Sequence, residues 1–172
     1  MASARRRRSP LPFLCCLGLL LVLAGVVDGP LLTFYRISGS SMMPTFSDGD
    51  RVVVLSLGAL DVGDAVIARH EGEALIKRVV ALPGDSVELL GGVLFRNGMM
   101  EECFVPPQFL DNSYLPVRYL QKGEYFLLGD NRTVSVDSRI FGPVTGQEII
   151  GKVVYRWDGA RSDARPVTAA EK

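Results

Sequence analysis

Apolar residues follow two regimes along this chain. From Leu11 to Val27 they run on without a charged residue, interrupted only by Pro12 and two glycines. From Asp50 onward they come in short alternating segments or brief runs, at Arg51–Leu55, Ala65–Ala68, Ala74–Leu82, Ser86–Leu90, Val93–Phe95, Tyr125–Leu128 and Ile149–Tyr155. Turn-formers punctuate these segments, among them Ser47-Asp48-Gly49, Val62-Gly63-Asp64, Pro83-Gly84-Asp85, Gly91-Gly92, Asn97-Gly98, Lys122-Gly123 and Gly129-Asp130-Asn131. Such spacing predicts antiparallel strands joined by tight hairpins. Another strand is expected between Pro30 and Ser41. No window after the first stretch sustains a helical period over three turns, which limits helix to a turn or two. The expected fold is mainly β, a compact antiparallel β-sheet domain over 29–160 that follows one N-terminal transmembrane helix.

The first regime sets the topology. The stretch Leu11–Val27 holds 17 residues, the short end of a membrane span, and follows Arg5, Arg6, Arg7 and Arg8. A secretory signal peptide has a shorter apolar core and an A-x-A-like exit; here Leu23-Ala24-Gly25 matches poorly and Asp28 comes directly after the run. An uncleaved anchor over 10–28 is favoured over a cleaved leader. The basic residues in 1–9 hold that end in the cytoplasm or its equivalent and place the rest of the chain across the membrane. Residues 99–121, with Pro106, Pro107 and Pro116, are expected as an irregular insertion, and 161–172 as a polar, frayed tail.

Charge narrows the partners. The 172 residues carry 19 Lys plus Arg and 19 Asp plus Glu, yet the only charges before residue 28 are the four arginines, so the remainder has a net charge of −4. That excludes a basic nucleic-acid binder, which needs clustered cations to neutralise phosphates. Apolar residues at 48% and charged ones at 22% also exclude a disordered segment. Cys15 and Cys16 lie in the apolar stretch and Cys103 has no soluble partner, so no disulfide framework is expected. With His70 the only histidine and no Cys-x-x-Cys, no metal site is expected, and the serine chemistry read below calls for no organic cofactor.

Candidate chemistry begins at Ser38-Gly39-Ser40-Ser41-Met42-Met43-Pro44-Thr45-Phe46. A hydroxyl cluster beside glycine is ordinarily a turn. Here Met42, Met43, Pro44 and Phe46 would put apolar surface in a loop near a membrane, which suggests lipid or substrate contact; completion of the core is the commoner fate of such side chains. A serine nucleophile needs a base. His70 stands in what looks like a solvated hairpin end, and Lys77 lies inside Ala74–Leu82, one of the most apolar strands. Alternation puts Lys77 on one face with Leu75 and Val79, and Arg78 on the other. If Lys77 faces inward, desolvation lowers its pKa and lets a neutral amine take the serine proton; the bland alternative is that one cation points to solvent and the other reaches an edge.

Three motifs then occur in order. Ser41-Met42-Met43-Pro44-Thr45 resembles the S-M-x-P-T nucleophile box of type I signal peptidases. Lys77-Arg78-Val79-Val80 with Pro83-Gly84-Asp85 resembles their lysine box, and Gly129 to Arg139 followed by Phe141-Gly142 resembles their G-D-N-x-x-x-S-x-D-S-R box. The likeness spans roughly residues 34–156. It implies a membrane-bound serine endopeptidase, single-pass in a bacterial cytoplasmic membrane with its catalytic domain outside, that cuts signal peptides from exported preproteins. In that family pattern Ser41 is the nucleophile, Lys77 the general base and Ser135 the hydroxyl that orients the lysine; Asp130 pairs with Arg78 and Asp137 with Arg139. Ser138 completes the box without an assigned role. Many Gram-negative members have a serine where this chain has Gly39, so the oxyanion hole is expected to rest on the Ser41 backbone N–H, with Ser40, Ser38 or water as second donor. The short insertion implies a minimal form like Gram-positive and mitochondrial relatives. A mitochondrial inner-membrane peptidase is the alternative address. A self-cleaving Ser/Lys repressor and a non-catalytic anchored β module that binds extended peptides are the alternative functions.

Overall fold

The computed structural model describes residues 30–101, 106–158 and 164–167. The expected anchor at 10–28 and all three cysteines lie outside them. Among the described residues no helix is long and apolar enough to cross a membrane. Every strand among the described residues belongs to the unit from Leu32 to Lys172. In chain order these are β1 (Leu32–Arg36), β2 (Arg51–Leu55), β3 (Ala65–His70), β4 (Glu73–Ala81), β5 (Ser86–Leu90), β6 (Val93–Arg96), β7 (Met99–Met100), β8 (Leu115–Tyr119), β9 (Glu124–Leu128), β10 (Val144–Thr145), β11 (Ile149–Trp157) and β12 (Ala164–Pro166). One α-helical turn, α1, spans Ser138–Phe141, and a 3-10 turn spans Pro107–Phe109.

The strands form two antiparallel sheets. The larger runs β1-β2-β11-β3-β4-β9-β10, with β12 added to β11; the smaller runs β7-β6-β5-β8. The predicted hairpins are local. At Gly91-Gly92 and Asn97-Gly98 both loop residues have positive φ, the condition for the two-residue turn whose twist matches that of paired strands. On β3, alternate residues serve opposite faces of the larger sheet. Ala65 and Ile67 pack with Ile37, Met42, Phe46 and Val153, whereas Val66 and Ala68 pack with Val79, Leu127 and Val144. A third cluster, including Val87, Leu89, Leu120 and Phe126, joins the two sheets.

Two sequence expectations are corrected. The segment 99–121 is not simply an irregular insertion, because β8 pairs with β5 from Ser86↔Tyr119 to Leu89↔Leu115. Its proline hid the strand: Pro116 falls where the register shifts, on an edge strand, so its missing N–H costs no regular ladder bond. The tail also contributes. Strand β12 pairs with Tyr155–Trp157 on the edge of β11 that β3 leaves uncovered, and Val167 packs on the first cluster. Backbone pairing needs no apolar periodicity when a longer neighbour offers a free edge.

Candidate active site

The loop after Ile37 carries Ser41, and strand β4 carries Lys77. Lys77 Nζ donates to Ser41 Oγ at 3.0 Å and to the Ile76 carbonyl at 2.9 Å. The lysine is 3% exposed. Burial holds its ammonium below the ordinary lysine pKa; Asp137 and Asp130 pull it up, while Arg139 pushes it further down. The amine therefore reaches its neutral form at lower pH than a surface lysine, within hydrogen-bond reach of a hydroxyl.

Arg78, the next residue, is 8% exposed, so neither cation points to solvent. Its guanidinium meets Asp130 bidentately, Nε to Oδ1 at 2.7 Å and Nη2 to Oδ2 at 2.6 Å, and donates to the Gly63 carbonyl and Thr45 Oγ1. The contact with Thr45 ties the lysine strand to the loop bearing Ser41. Asp137 is fully buried. It binds Arg139 through both oxygens at 2.8 and 2.9 Å, accepts from the Gly129 N–H at 3.0 Å, and caps α1 through the Arg139 N–H. Both expected ion pairs form, and both are buried rather than superficial.

Backbone contacts bring the remaining box to the serine. The Asn131 N–H donates to the Ser41 carbonyl at 3.0 Å. Gly129 stands so close to its surroundings that a Cβ there would lie 2.2 Å from Ser135 Oγ and 2.6 Å from the Ser41 carbonyl oxygen. No side chain fits between those segments. Ser135 Oγ is buried without a hydrogen-bond partner. The expected bond from Ser135 to Lys77 is not formed; the lysine's bonds go to Ser41 and Ile76. Ser138, without a role from sequence, accepts from the Leu127 N–H at 3.0 Å and fastens α1 to β9.

The loop residues divide. Met42 and Phe46 are 1% and 0% exposed and lie in the core, so they are not free to touch lipid or substrate; Met43 is half-buried and Pro44 exposed. The reason is the loop's fold: turns at 40–46 direct alternate ends of this short segment down onto the apolar face of the larger sheet, where burial is favourable. His70 is set apart from Ser41. It pairs with Glu73 while Lys77 pairs with Val66, about 13 Å further along at ~3.3 Å per residue, and its ring stacks on Phe141. Among the described residues, no three His, Cys, Asp or Glu side chains gather to hold a metal.

Two site-supporting residues were not found by sequence reasoning. Arg156 of β11 pairs with Asp50 at 2.9 Å, donates to the Thr45 carbonyl and covers the Phe46 ring, 5.6 Å from its centroid. Asp111 binds Arg139 from the connection between β7 and β8 of the smaller sheet. Neither stands in a motif, and only the folded chain brings them to these partners.

The family model described as "Signal peptidase, peptidase S26" matches residues 12–158. The chain belongs to this family. Among curated type I signal peptidases, signal peptidase IB of Staphylococcus aureus is 31% identical over 173 aligned positions, 88% of this chain and 91% of the relative. A probable signal peptidase I-1 of Synechocystis is 35% identical over 159 positions, 80% and 79% of the two chains. A solved signal peptidase I from Enterococcus faecalis is 27% identical, with a TM-score of 0.46, and the match covers 56% of this chain and 98% of that one. For this signal peptidase, as for the family, the expected reaction class is peptide hydrolysis.

Proposed function

We propose that this chain is a membrane-anchored serine endopeptidase that removes signal peptides from exported preproteins, with Ser41 as nucleophile and Lys77 as general base. One observation carries the reading: a buried lysine with no carboxylate bonded to it lies 3.0 Å from the hydroxyl in the family's nucleophile motif. Neutral Lys77 takes the Ser41 proton as Oγ attacks the scissile carbonyl, and the Ser41 backbone N–H faces the developing oxyanion. Lys77 then gives that proton to the leaving amine, and the acyl-enzyme remains. A water deprotonated by Lys77 hydrolyses it.

While protonated, Lys77 has three N–H donors. The Ile76 carbonyl and Ser41 Oγ take two, and the buried hydroxyl of Ser135 is the acceptor we assign to the third, which orients the ammonium for the return transfer. Arg78–Asp130 and Asp137–Arg139 hold the lysine strand and the Gly129–Arg139 segment around it.

The substrate is an extended peptide. Strand β9 covers β4 only from Arg78 to Ala81, so among the described residues no strand pairs with Glu73–Lys77 on the side away from β3, and a peptide added there would run past the Ser41–Lys77 pair. The apolar stretch Leu11–Val27 supplies the anchor, with Met43 and Pro44 as the loop residues left to meet lipid or substrate. The test is incubation of the purified full chain with a preprotein beside its Ser41→Ala and Lys77→Arg forms. Cleavage by the parent alone supports the reading; cleavage by either variant at the parent rate overturns it. A serine-directed acylating probe that fails to label Ser41 would favour a non-catalytic peptide-binding module.

A further inference from the structure

We infer that Asp111, which lies outside all three motifs, is a positioning residue that holds the Gly129–Arg139 segment in its working geometry through Arg139. The inference rests on the Ser41–Lys77 reading. Asp111 follows the 3-10 turn at Pro107–Phe109, in the connection between β7 and β8 of the smaller sheet. Its Oδ2 accepts from Arg139 Nη1, and its Oδ1 accepts from Ser113 Oγ at 2.9 Å, so both carboxylate oxygens are engaged.

Asp111 is itself held in place. A Cβ on Gly92 would lie 2.0 Å from the Asp111 carbonyl oxygen, so the β5–β6 turn presses directly on the Asp111 backbone. The Gly92 N–H donates to the Ser113 carbonyl. A second bond runs parallel to the ion pair: the Arg132 N–H donates to the Phe109 carbonyl at 2.8 Å. The β7–β8 connection thus grips the 131–139 loop at two points.

Arg139 distributes that grip. Its side chain is 10% exposed, and Nη2 donates to the carbonyls of Arg132 and Ser135 as well as to Asp137. Asp137 in turn takes the Gly129 N–H, and Gly129 abuts both Ser135 Oγ and the Ser41 carbonyl. A guanidinium offers a planar fork, so fixing Nη1 from one side fixes the angle at which the other nitrogens meet their acceptors. Without Asp111 the fork keeps its bidentate contact with Asp137 and the two carbonyls at Nη2 but loses the carboxylate that braces it at Nη1.

There is also an electrostatic consequence. The charges that act on Lys77 are Asp137 and Asp130, which favour its ammonium, and Arg139, which opposes it; Arg78 faces Asp130. Asp111 offsets part of the Arg139 charge. Its neutralisation leaves Lys77 facing a stronger positive field, so Lys77 loses its proton at lower pH.

The test uses the full-length enzyme with Asp111→Asn, nearly isosteric and uncharged, and Asp111→Glu, with Ser41→Ala in parallel. Asp111→Asn is expected to lower kcat by about 10- to 100-fold, the scale of a small misplacement of reacting groups, with KM little changed. Its acid limb of kcat/KM should move to lower pH, and Asp111→Glu should recover most of the rate. A purely structural role would not move the acid limb. The proposal is overturned if Asp111→Asn keeps the parent kcat and pH profile, or if its loss of rate equals its loss of folded protein by circular dichroism. Activity retained by Ser41→Ala would instead refute the nucleophile assignment, whatever Asp111 does.

Discussion

Lys77 and Arg78 are adjacent on β4, both buried, and on opposite faces of one strand. Their surroundings differ in kind. Arg78 meets a carboxylate bidentately, a carbonyl and a hydroxyl, so its charge is compensated. Lys77 bonds only to a hydroxyl and a carbonyl, and burial lowers its pKa. Desolvation without a bonded counterion makes a cation ready to lose its proton, whereas desolvation with one makes a clamp. Burial alone thus does not make a cation a candidate base; the absence of a carboxylate in direct contact distinguishes Lys77 from Arg78.

The sharpest way to break this contrast is to exchange the chemistry. Ser41→Ala and Lys77→Arg should each reduce kcat by on the order of 10⁴-fold or more, because in the proposed mechanism nucleophile and base act as a unit and guanidinium stays protonated at any working pH. Preprotein cleavage followed by gel densitometry measures this. His70→Ala, altering a ring stacked away from the site, should retain parent activity, and a dead His70→Ala would hand the role of base to histidine.

On the other face, Asp130→Ala leaves a buried guanidinium without its carboxylate and should cost about 3–5 kcal/mol of stability. Phe46→Ala removes a fully buried ring from the same face of the sheet and should cost a similar ~3–5 kcal/mol. Denaturant unfolding reads both. A cost below about 1 kcal/mol for Asp130→Ala would mean that the pair is solvated and the contrast with Lys77 is false.

A third experiment reverses the sign. Lys77→Met keeps the side-chain length but removes the charge, so it should abolish activity while raising Tm at neutral pH. The folded pKa of Lys77 lies below its unfolded value, so between the two the unfolded state binds more protons and the parent's stability rises with pH. The advantage of the Met form is therefore full below the folded pKa and closes as pH rises toward the ordinary lysine value of about 10.4. The same titration appears in the parent's kcat/KM as a rise from acid through an apparent pKa below that of free lysine. An unchanged Tm difference across this range would show that Lys77 titrates as it does in water.

The smallest effect belongs to the loop. Met43→Ser, at a half-buried position, should change stability by no more than about 0.5 kcal/mol yet weaken binding to lipid vesicles, whereas Met42→Ser should destabilise by ~2–5 kcal/mol. Vesicle flotation and thermal unfolding of the two forms separate a docking residue from a core residue.

Much of the sheet was legible because its strands alternate and its turns carry their own signals. Seven of the segments read from periodicity coincide, to within a few residues, with β2 through β6, β9 and β11. Strands β7, β8, β10 and β12 were not legible. Two of these are only two residues long, β8 contains Pro116 at a register shift, and β12 lies in a polar segment. Each exists because a neighbour's edge was available, which is information held by another part of the chain.

The site divides along the same line. Ser41, Lys77, Ser135 and the partners of the two ion pairs were singled out by motif order, since residue type and local spacing are properties of the sequence itself. The burial of Arg78 beside Lys77, the return of Met42 and Phe46 to the core, the unbonded hydroxyl of Ser135 and the arrival of Arg156 and Asp111 were decided by tertiary structure. Asp111 and Arg139 are 28 residues apart, and Arg156 and Thr45 are 111 apart. No local pattern encodes such a meeting, because strand pairing within the larger sheet brings Arg156 beside the β1–β2 loop, and only the folded β7–β8 connection brings Asp111 to Arg139.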